Sequence, residues 1–269
     1  MYKIRDFIKD LQKRGGYTFS LNEIREKLPA FSDTAIKSAL KRLSDANEIV
    51  SVLNGFYAII PISYALRGTV PPELYIDFLM RYLQRPYYVG LLNAASYYGA
   101  AHQQPQVFSV ITSFPPLRDT FKKGIYITYI SKRKNIPQSW LEPIRTESGD
   151  IQVSRPELTA ADIITFQNKI GGLSRASTIL FELAETLDFK LLDEQFFSFV
   201  PVATIQRLGY LCENILEQSK KAEDLYIKAQ EYGCGFQKVP LKSGKDSDKS
   251  IIDKRWKIIL NEQVEIDDL

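Results

Sequence analysis

The 269-residue chain is poor in the residues that most often build metal centres and nucleophilic active sites. It has one histidine, His102, and two cysteines, Cys212 and Cys234. One histidine excludes sites that need a histidine pair, and two isolated cysteines are too few for a zinc cage or a disulfide framework. We therefore expect no metal ion, and we interpret His102, in "GAAHQQPQ", as an ordinary hydrogen-bonded turn residue.

Long apolar runs are also missing from the sequence. No stretch approaches the roughly 20 apolar residues of a membrane-spanning helix, and "MYKIRDFIKD" lacks the continuous apolar core of a signal peptide. Hydrophobic residues make up 45% and charged residues 25% of the chain, an ordinary globular balance. We expect a cytoplasmic protein without a membrane partner.

Motifs for catalysis and cofactor binding are missing or incomplete. "KSGKDSDKS" (242–250) contains Gly-Lys but not the glycine five positions earlier that a phosphate-binding loop requires. Glu147, Asp150 and Glu157 flank the run "DIQVSR", without the compact acid-x-lysine pattern of a magnesium-dependent nuclease. We predict no catalytic residue, no cofactor and no enzymatic activity.

The first sixty residues carry the clearest local pattern. Apolar residues at helical spacing predict three helices, and Ser20 with Glu23 forms a capping-box sequence before the second. After the third helix, "EIVSVL" and "FYAII" flank Asn54-Gly55, which predicts a hairpin with a type I′ turn. Three helices followed by a two-stranded wing are typical of a winged helix-turn-helix, which we place at residues 1–60.

The outer face of the third helix is the candidate DNA-binding site. Residues 1–60 hold 10 Lys and Arg against 7 Asp and Glu, the whole of the chain's net charge of +3. A winged helix inserts its third helix into the major groove, where basic and hydroxyl side chains contact phosphates and base edges. The candidate residues are Ser32, Thr34, Lys37, Ser38, Lys41, Arg42 and, at the wing, Asn54. Asp33 and Asp45 lie nearby and would repel phosphate if they faced it.

A second basic stretch, residues 117–145, holds 7 basic and 2 acidic residues around the aromatic run "GIYITYIS". Its candidate surface for a partner or a nucleic acid consists of Lys122, Lys123, Tyr126, Tyr129, Lys132, Arg133 and Lys134. Aromatic rings interleaved with cations suit single-stranded nucleic acid. Alternatively, the lysines only protect a sheet edge from pairing with another strand.

The sequence as a whole predicts an α+β protein. It consists of an N-terminal winged helix-turn-helix followed by a larger mixed α/β domain whose C-terminal part is helical. "PELYIDFLMRYLQRP" and "YYVGLLNAASYYGA" are interpreted as helices, and "QVFSVITS", "GIYITYIS" and "IQVSR" as strands. Paired prolines after residue 61 mark a boundary. We assign residues 61–242 to the larger domain and 243–269 to a linker and acidic tail.

Several of these segments together resemble the AbiEi-type antitoxins of bacterial abortive-infection systems. They are "GFYAII", "RPYYVGLLNAASYYGAAHQQPQVFSVITS" and "IQVSRPELTAADIITF", with Gly55 and Tyr57, Pro86 and Tyr88, Ala94 to Gly99, Pro105, Pro156-Glu157 and Asp162 at the matching places. The resemblance covers residues 1 to about 170. The chain departs from the family at "SYYGAA", where His-Gly-Leu is common.

The resemblance implies a transcriptional regulator that represses its own operon and counteracts a nucleotidyltransferase-like toxin through its C-terminal domain. The expected partners are then a double-stranded DNA operator and that toxin, with the protein a monomer or a dimer on DNA. The residues leave two alternatives open: a protein-interaction module that does not bind DNA, or a nucleic-acid-processing enzyme.

Overall fold

The computed structural model describes residues 3–101, 105–246 and 251–266, so His102 lies outside the described residues. Within these ranges no helix is both long and apolar enough to cross a membrane. The architecture is mixed α+β, as the sequence predicts.

Three helices and a three-stranded antiparallel sheet form the N-terminal part. In chain order they are α1 (Ile4–Lys13), β1 (Thr18–Ser20), α2 (Leu21–Lys27), α3 (Asp33–Asp45), β2 (Ile49–Leu53) and β3 (Phe56–Ile59), with sheet order β1-β3-β2. The Ser20–Glu23 capping box is confirmed, and the Ser32 hydroxyl accepts from the Ala35 N–H at the start of α3. Ile8, Phe19, Ile24, Ile36 and Leu40 belong to the core that joins the helices to this sheet.

The hairpin between β2 and β3 differs from the prediction in its turn. Of the two central residues, only Gly55 has positive φ, 77°, whereas a type I′ turn needs positive φ at both. The β2–β3 register also shifts between Ser51 and Leu53. A bulge increases the local right-handed twist, so the two strands can be joined without a type I′ turn.

A six-stranded mixed sheet forms the middle of the molecule. Two short 3-10 helices (Ile62–Arg67 and Pro72–Leu74) and α4 (Ile76–Tyr82) lead into it. Its elements are β4 (Tyr87–Val89), α5 (Leu91–Tyr97), β5 (Val107–Ser113), β6 (Thr120–Lys122), β7 (Ile125–Lys132), β8 (Leu141–Thr146) and β9 (Gly149–Ser154). The strand order is β6-β7-β5-β4-β9-β8; the pairs β5–β7 and β4–β9 are parallel, and the others are antiparallel.

One of the predicted helices is wrong at its start. Residues 87–89 of "YYVGLLNAASYYGA" form strand β4 in the centre of the sheet, and the helix begins only at Leu91. Gly90 separates the two, and a Cβ at this position would overlap the Ile111 side chain on the neighbouring strand. Pairing with β5 and β9 decides the conformation of the Tyr-Tyr-Val run, which suits a strand equally well.

The two faces of the six-stranded sheet bury different partners. Tyr87, Val89, Val110 and Ile127 share a core with α4 and with β2 and β3 of the N-terminal part. The rings of Phe56 and Tyr82, 5.1 Å apart, belong to this contact. The N-terminal hairpin is therefore packed against the middle of the chain rather than free.

The opposite face of the sheet packs against the helical part. This consists of α6 (Pro156–Thr165), α7 (Leu173–Leu183), α8 (Glu194–Phe199), α9 (Val202–Asn214) and α10 (Ser219–Glu231), with 3-10 helices at Gln138–Trp140, Gln167–Lys169, Ala184–Thr186 and Phe189–Leu191. Tyr88, Ile111 and Ile130 of the sheet belong to the same core as these helices. The parallel pair β10 (Val239–Pro240) and β11 (Ile258–Ile259) completes the fold.

The predicted linker and tail at 243–269 is wrong for residues 251–260. Trp256 and Ile258 are fully buried in the core of the helical part. The Trp256 indole N–H donates to the Glu213 carboxylate, and Gln206 donates to the Trp256 carbonyl at 2.6 Å. This segment therefore stabilises α9 instead of connecting parts of the chain.

We expect Gly209→Ala to destabilise the protein. Gly209 lies in α9, and a Cβ there would overlap the six-membered ring of Trp256. Overpacking of this kind costs about 1–3 kcal/mol, measurable as the change in free energy of unfolding in urea. Gly235→Ala is the control, since no atom lies within 4 Å of its added Cβ. Equal stability of the two variants would contradict the packing of Trp256 on α9.

Candidate nucleic-acid interface

The exposed face of α3 gathers most of the predicted DNA-binding residues. Ile36, Leu40 and Leu43 are buried, whereas Thr34, Lys37, Ser38, Lys41 and Arg42 are exposed. At 3.6 residues per turn, Thr34, Ser38 and Lys41 lie along the middle of that face, with Lys37 and Arg42 on its two flanks. Ser32 is taken up by capping the helix through a 3.3 Å bond from the Ala35 N–H.

The two acidic residues near this face have different surroundings. Asp33 forms a bidentate ion pair with Arg25 of α2, with nitrogen–oxygen distances of 2.9 and 2.8 Å. The hydrogen bonds from Arg25 lower the pKa of the Asp33 carboxyl. Asp45 is exposed at the end of α3. Arg25 thus balances Asp33, while Asp45 stands four residues after Lys41 on the outer face.

Asn54 lies apart from α3. It is exposed at the tip of the β2–β3 hairpin, and the adjacent Gly55 carbonyl accepts from the N–H of Leu21, the first residue of α2, at 2.8 Å. The five residues of β2 extend for about 16 Å between this tip and the end of α3. Any DNA contact of Asn54 would therefore be separate from those of the helix.

A second basic element does lie next to α3. The Lys123 ammonium donates to the Asn47 side-chain oxygen at 2.7 Å, and Asn47 follows α3 by two residues. Lys122, Lys123 and Tyr126 are exposed around the turn between β6 and β7. The turn of the β6–β7 hairpin therefore lies against the residues that follow α3, although 76 positions separate Asn47 from Lys123.

The other residues predicted for this second surface do not extend it. Only 14% of the Lys132 side chain is exposed, and the Lys134 ammonium donates to the Ser198 carbonyl. Tyr129 is half-buried, and burial raises its pKa to about 12. Arg133 is exposed but stacks on the Phe114 ring, 5.3 Å from its centroid. Residues 132–134 thus lie at the opposite end of β7 from the hairpin turn, and the structure does not bring them together with Lys122, Lys123 and Tyr126.

Lys132 belongs instead to a buried polar cluster. Its ammonium donates to Asp162 at 3.1 Å and lies 4.8 and 4.7 Å from the ring centroids of Phe166 and Phe199. The fully buried Tyr88 hydroxyl donates to the other Asp162 oxygen at 2.6 Å. Burial, and then the charge of Asp162, raise the pKa of Tyr88 far above its usual value.

Tyr88 and Asp162 were singled out in the sequence only through the family resemblance, and Lys132 was predicted to lie on an exposed surface. The strand carrying Lys132 pairs with β5 at the register Ser113–Lys132, which directs the lysine toward α6. No local signal in the sequence gives that pairing.

The acidic residues considered for catalysis do not converge. Asp150 pairs with Arg145 at 3.2 Å on an exposed hairpin. Glu157 is buried and accepts from the Asp188 N–H at 2.7 Å. Within the described parts of the chain, no group of three or more His, Cys, Asp or Glu side chains could hold a metal ion.

Comparison with known proteins relates the chain to a protein family and to a solved structure. Residues 88–214 match the model of the AbiEi antitoxin C-terminal domain, which confirms the predicted resemblance. The crystal structure of the RV2827C protein from Mycobacterium tuberculosis is similar, with a TM-score of 0.64 and 16% identity over 94% of this chain and 89% of that one. This likeness concerns the fold alone. No curated protein matches the chain.

Proposed function

We propose that this chain is an AbiEi-type antitoxin, since residues 88–214 match the AbiEi antitoxin C-terminal domain, and that it also binds operator DNA and represses its own operon. The main support for DNA binding is the exposed face of α3. Its cations Lys37, Lys41 and Arg42 point away from the buried side of the helix.

The order of elements supports this assignment. Helices α1, α2 and α3 followed by the β2–β3 hairpin match a winged helix-turn-helix, in which the third helix enters the major groove. We propose residues 1–60 as the DNA-binding domain. The Arg25–Asp33 pair fixes α2 against the start of α3 and offsets the nearest negative charge.

The β6–β7 hairpin adds a second contact in this proposal. Lys122 and Lys123 lie beside the end of α3 because Lys123 binds Asn47. The two lysines can contact phosphates that flank the bases reached by Lys41. The middle domain would thereby help to position the protein on DNA, since phosphate contacts set orientation and base contacts set specificity.

The toxin partner is proposed from the family match. Residues 61–242 would counteract a nucleotidyltransferase-like toxin, and this activity would not require the outer face of α3. Two activities on separate surfaces can then be removed one at a time.

A protein-interaction role without DNA is the second candidate. A cavity of about 570 Å³ between α1 and α3 is lined by apolar Phe31, Ala35 and Ala39, with Lys3 and Arg42 at its edge. An acidic helix from a partner would suit this groove. Specific DNA competition separates the two roles, whereas salt dependence alone does not.

The test is a gel shift of the full chain with its own upstream DNA in excess non-specific competitor. We expect a retained, sequence-specific shift whose affinity falls with salt, with a log–log slope of about −0.9 for each phosphate contacted. A scrambled duplex of the same length and composition is the control. Loss of the shift under competition would contradict the DNA role and favour the protein-interaction role.

A further inference from the structure

A cavity of about 440 Å³ lies where the connection between β3 and α4 meets α5 and the β6–β7 hairpin. It is lined by Tyr64 and Glu73 of the connection, Tyr97 of α5, Phe108 of β5 and Tyr126 of the hairpin. This volume falls within the range of about 300–1,000 Å³ typical of small-molecule sites. None of the predicted DNA-binding residues on α3 lines it.

Glu73 is the unusual group in this cavity. Its Oε2 atom is buried and has no hydrogen-bond partner among the residues that the structure describes. Burial raises the pKa of its carboxyl, and a hydrogen bond from its own backbone N–H partly opposes this. Arg67 also lines the cavity, but the structure shows no ion pair between the described atoms of Arg67 and Glu73. Because buried polar atoms almost always have a hydrogen-bond partner, the lack of one at Glu73 Oε2 indicates an acceptor that is available to a ligand.

The walls around Glu73 are aromatic. Tyr64, Tyr97, Phe108 and Tyr126 contribute rings, and the negative face of such a ring attracts a cation. Burial, and then the charge of Glu73, raise the pKa of Tyr97 to about 12, so this phenol is within electrostatic range of the carboxylate. A buried acceptor with aromatic walls is a suitable site for a positively charged donor.

We propose that this cavity binds a small organic cation that carries N–H groups, an amine or a guanidine, with one N–H donating to the Glu73 carboxylate after its side chain rotates to bring Oε2 to the cavity surface. The N–H requirement follows from the unpaired oxygen, and the charge requirement follows from the carboxylate and the rings. The argument for this site does not rest on the proposed DNA and antitoxin roles, and its test uses neither DNA nor toxin.

The test titrates the full-length protein with n-butylammonium chloride and follows binding by ligand-observed NMR. We expect saturable binding with a Kd of about 1 mM, reasonable for so small a ligand. Tetramethylammonium has the charge but no N–H, and n-butanol has the chain but no charge, so both should bind at least about tenfold more weakly.

Glu73→Gln keeps the shape of the side chain and removes its charge, and it should weaken n-butylammonium binding at least about tenfold. Glu147→Gln is the matched control, because Glu147 is exposed outside the cavity. Ser96→Phe fills the cavity from its exposed side without changing Glu73 and should also remove binding. The proposal is overturned by equal binding to wild type and Glu73→Gln, by no saturable binding to wild type, or by equal binding of tetramethylammonium.

Discussion

Replacing Lys37, Lys41 and Arg42 together with alanine is expected to abolish specific operator binding while leaving the fold intact. All three side chains are exposed on α3, so their removal costs little stability. Removing each phosphate contact should make the salt slope shallower by about 1, and removing each hydrogen bond to a base edge should cost about 1–3 kcal/mol of specificity. Fluorescence anisotropy at several salt concentrations measures both.

The matched control is Lys220, Lys238 and Lys254 replaced with alanine. These residues are exposed in the C-terminal helical part, and their replacement changes the net charge equally. We expect this control to retain sequence-specific binding, with only a small decrease from long-range attraction. If both triple variants bound the operator alike, the affinity would come from net charge and the assignment of α3 would be wrong.

A single substitution on the same helix is expected to have the opposite effect on DNA binding. Asp45→Asn removes the exposed carboxylate on the outer face of α3 and should strengthen DNA binding, since Asp45 would repel phosphate there.

In cells, the α3 triple variant should derepress the operon but still protect against the toxin, because the part proposed to counteract the toxin lies beyond residue 60. Loss of both activities would contradict separate surfaces.

The N-terminal elements were predictable because their signals are local. The Ser20 cap, the apolar stripe with Ile36 and Leu40, and the Asn54-Gly55 turn each lie within one helix or hairpin. The turn type was missed, since the bulge in β2 depends on pairing with β3. The 3.6-residue periodicity that predicts the helix also predicts which of its residues are exposed. The basic face of α3 was therefore predictable together with the helix.

The errors concern contacts between distant segments. Strand β4 was mistaken for a helix because its three residues gain strand structure only from neighbours on both sides. Trp256 was assigned to a linker because its neighbours in the sequence are polar. Nothing in those neighbours indicates that the ring packs against α9. Lys132 was placed on a surface because a lysine at a strand end is exposed far more often than buried.

The second large effect is expected from Lys132. Lys132→Met should destabilise the protein by about 3–5 kcal/mol, because it leaves the Asp162 carboxylate buried without its cation. Only 2% of the Asp162 side chain is exposed, so water cannot replace the ammonium. The measurement is the free energy of unfolding in urea. Arg145→Met is the control: its ion pair with Asp150 is exposed, and removing it should cost about 1 kcal/mol or less.

The double variant Lys132→Met with Asp162→Leu tests whether this cluster stabilises the fold or serves another purpose. Removing both charges leaves apolar side chains between the Phe166 and Phe199 rings and should recover part of the stability that Lys132→Met removes. Recovery is incomplete because the buried Tyr88 hydroxyl loses its acceptor on Asp162. Tyr88→Phe should cost about 1.5–3 kcal/mol in the wild type, since its hydroxyl binds a charged group. Because Tyr88, Lys132 and Asp162 all lie within the antitoxin domain match, a stable double variant that no longer counters the toxin would show that the ion pair determines the conformation needed for antitoxin activity. A double variant no more stable than Lys132→Met alone would contradict the proposed origin of the penalty.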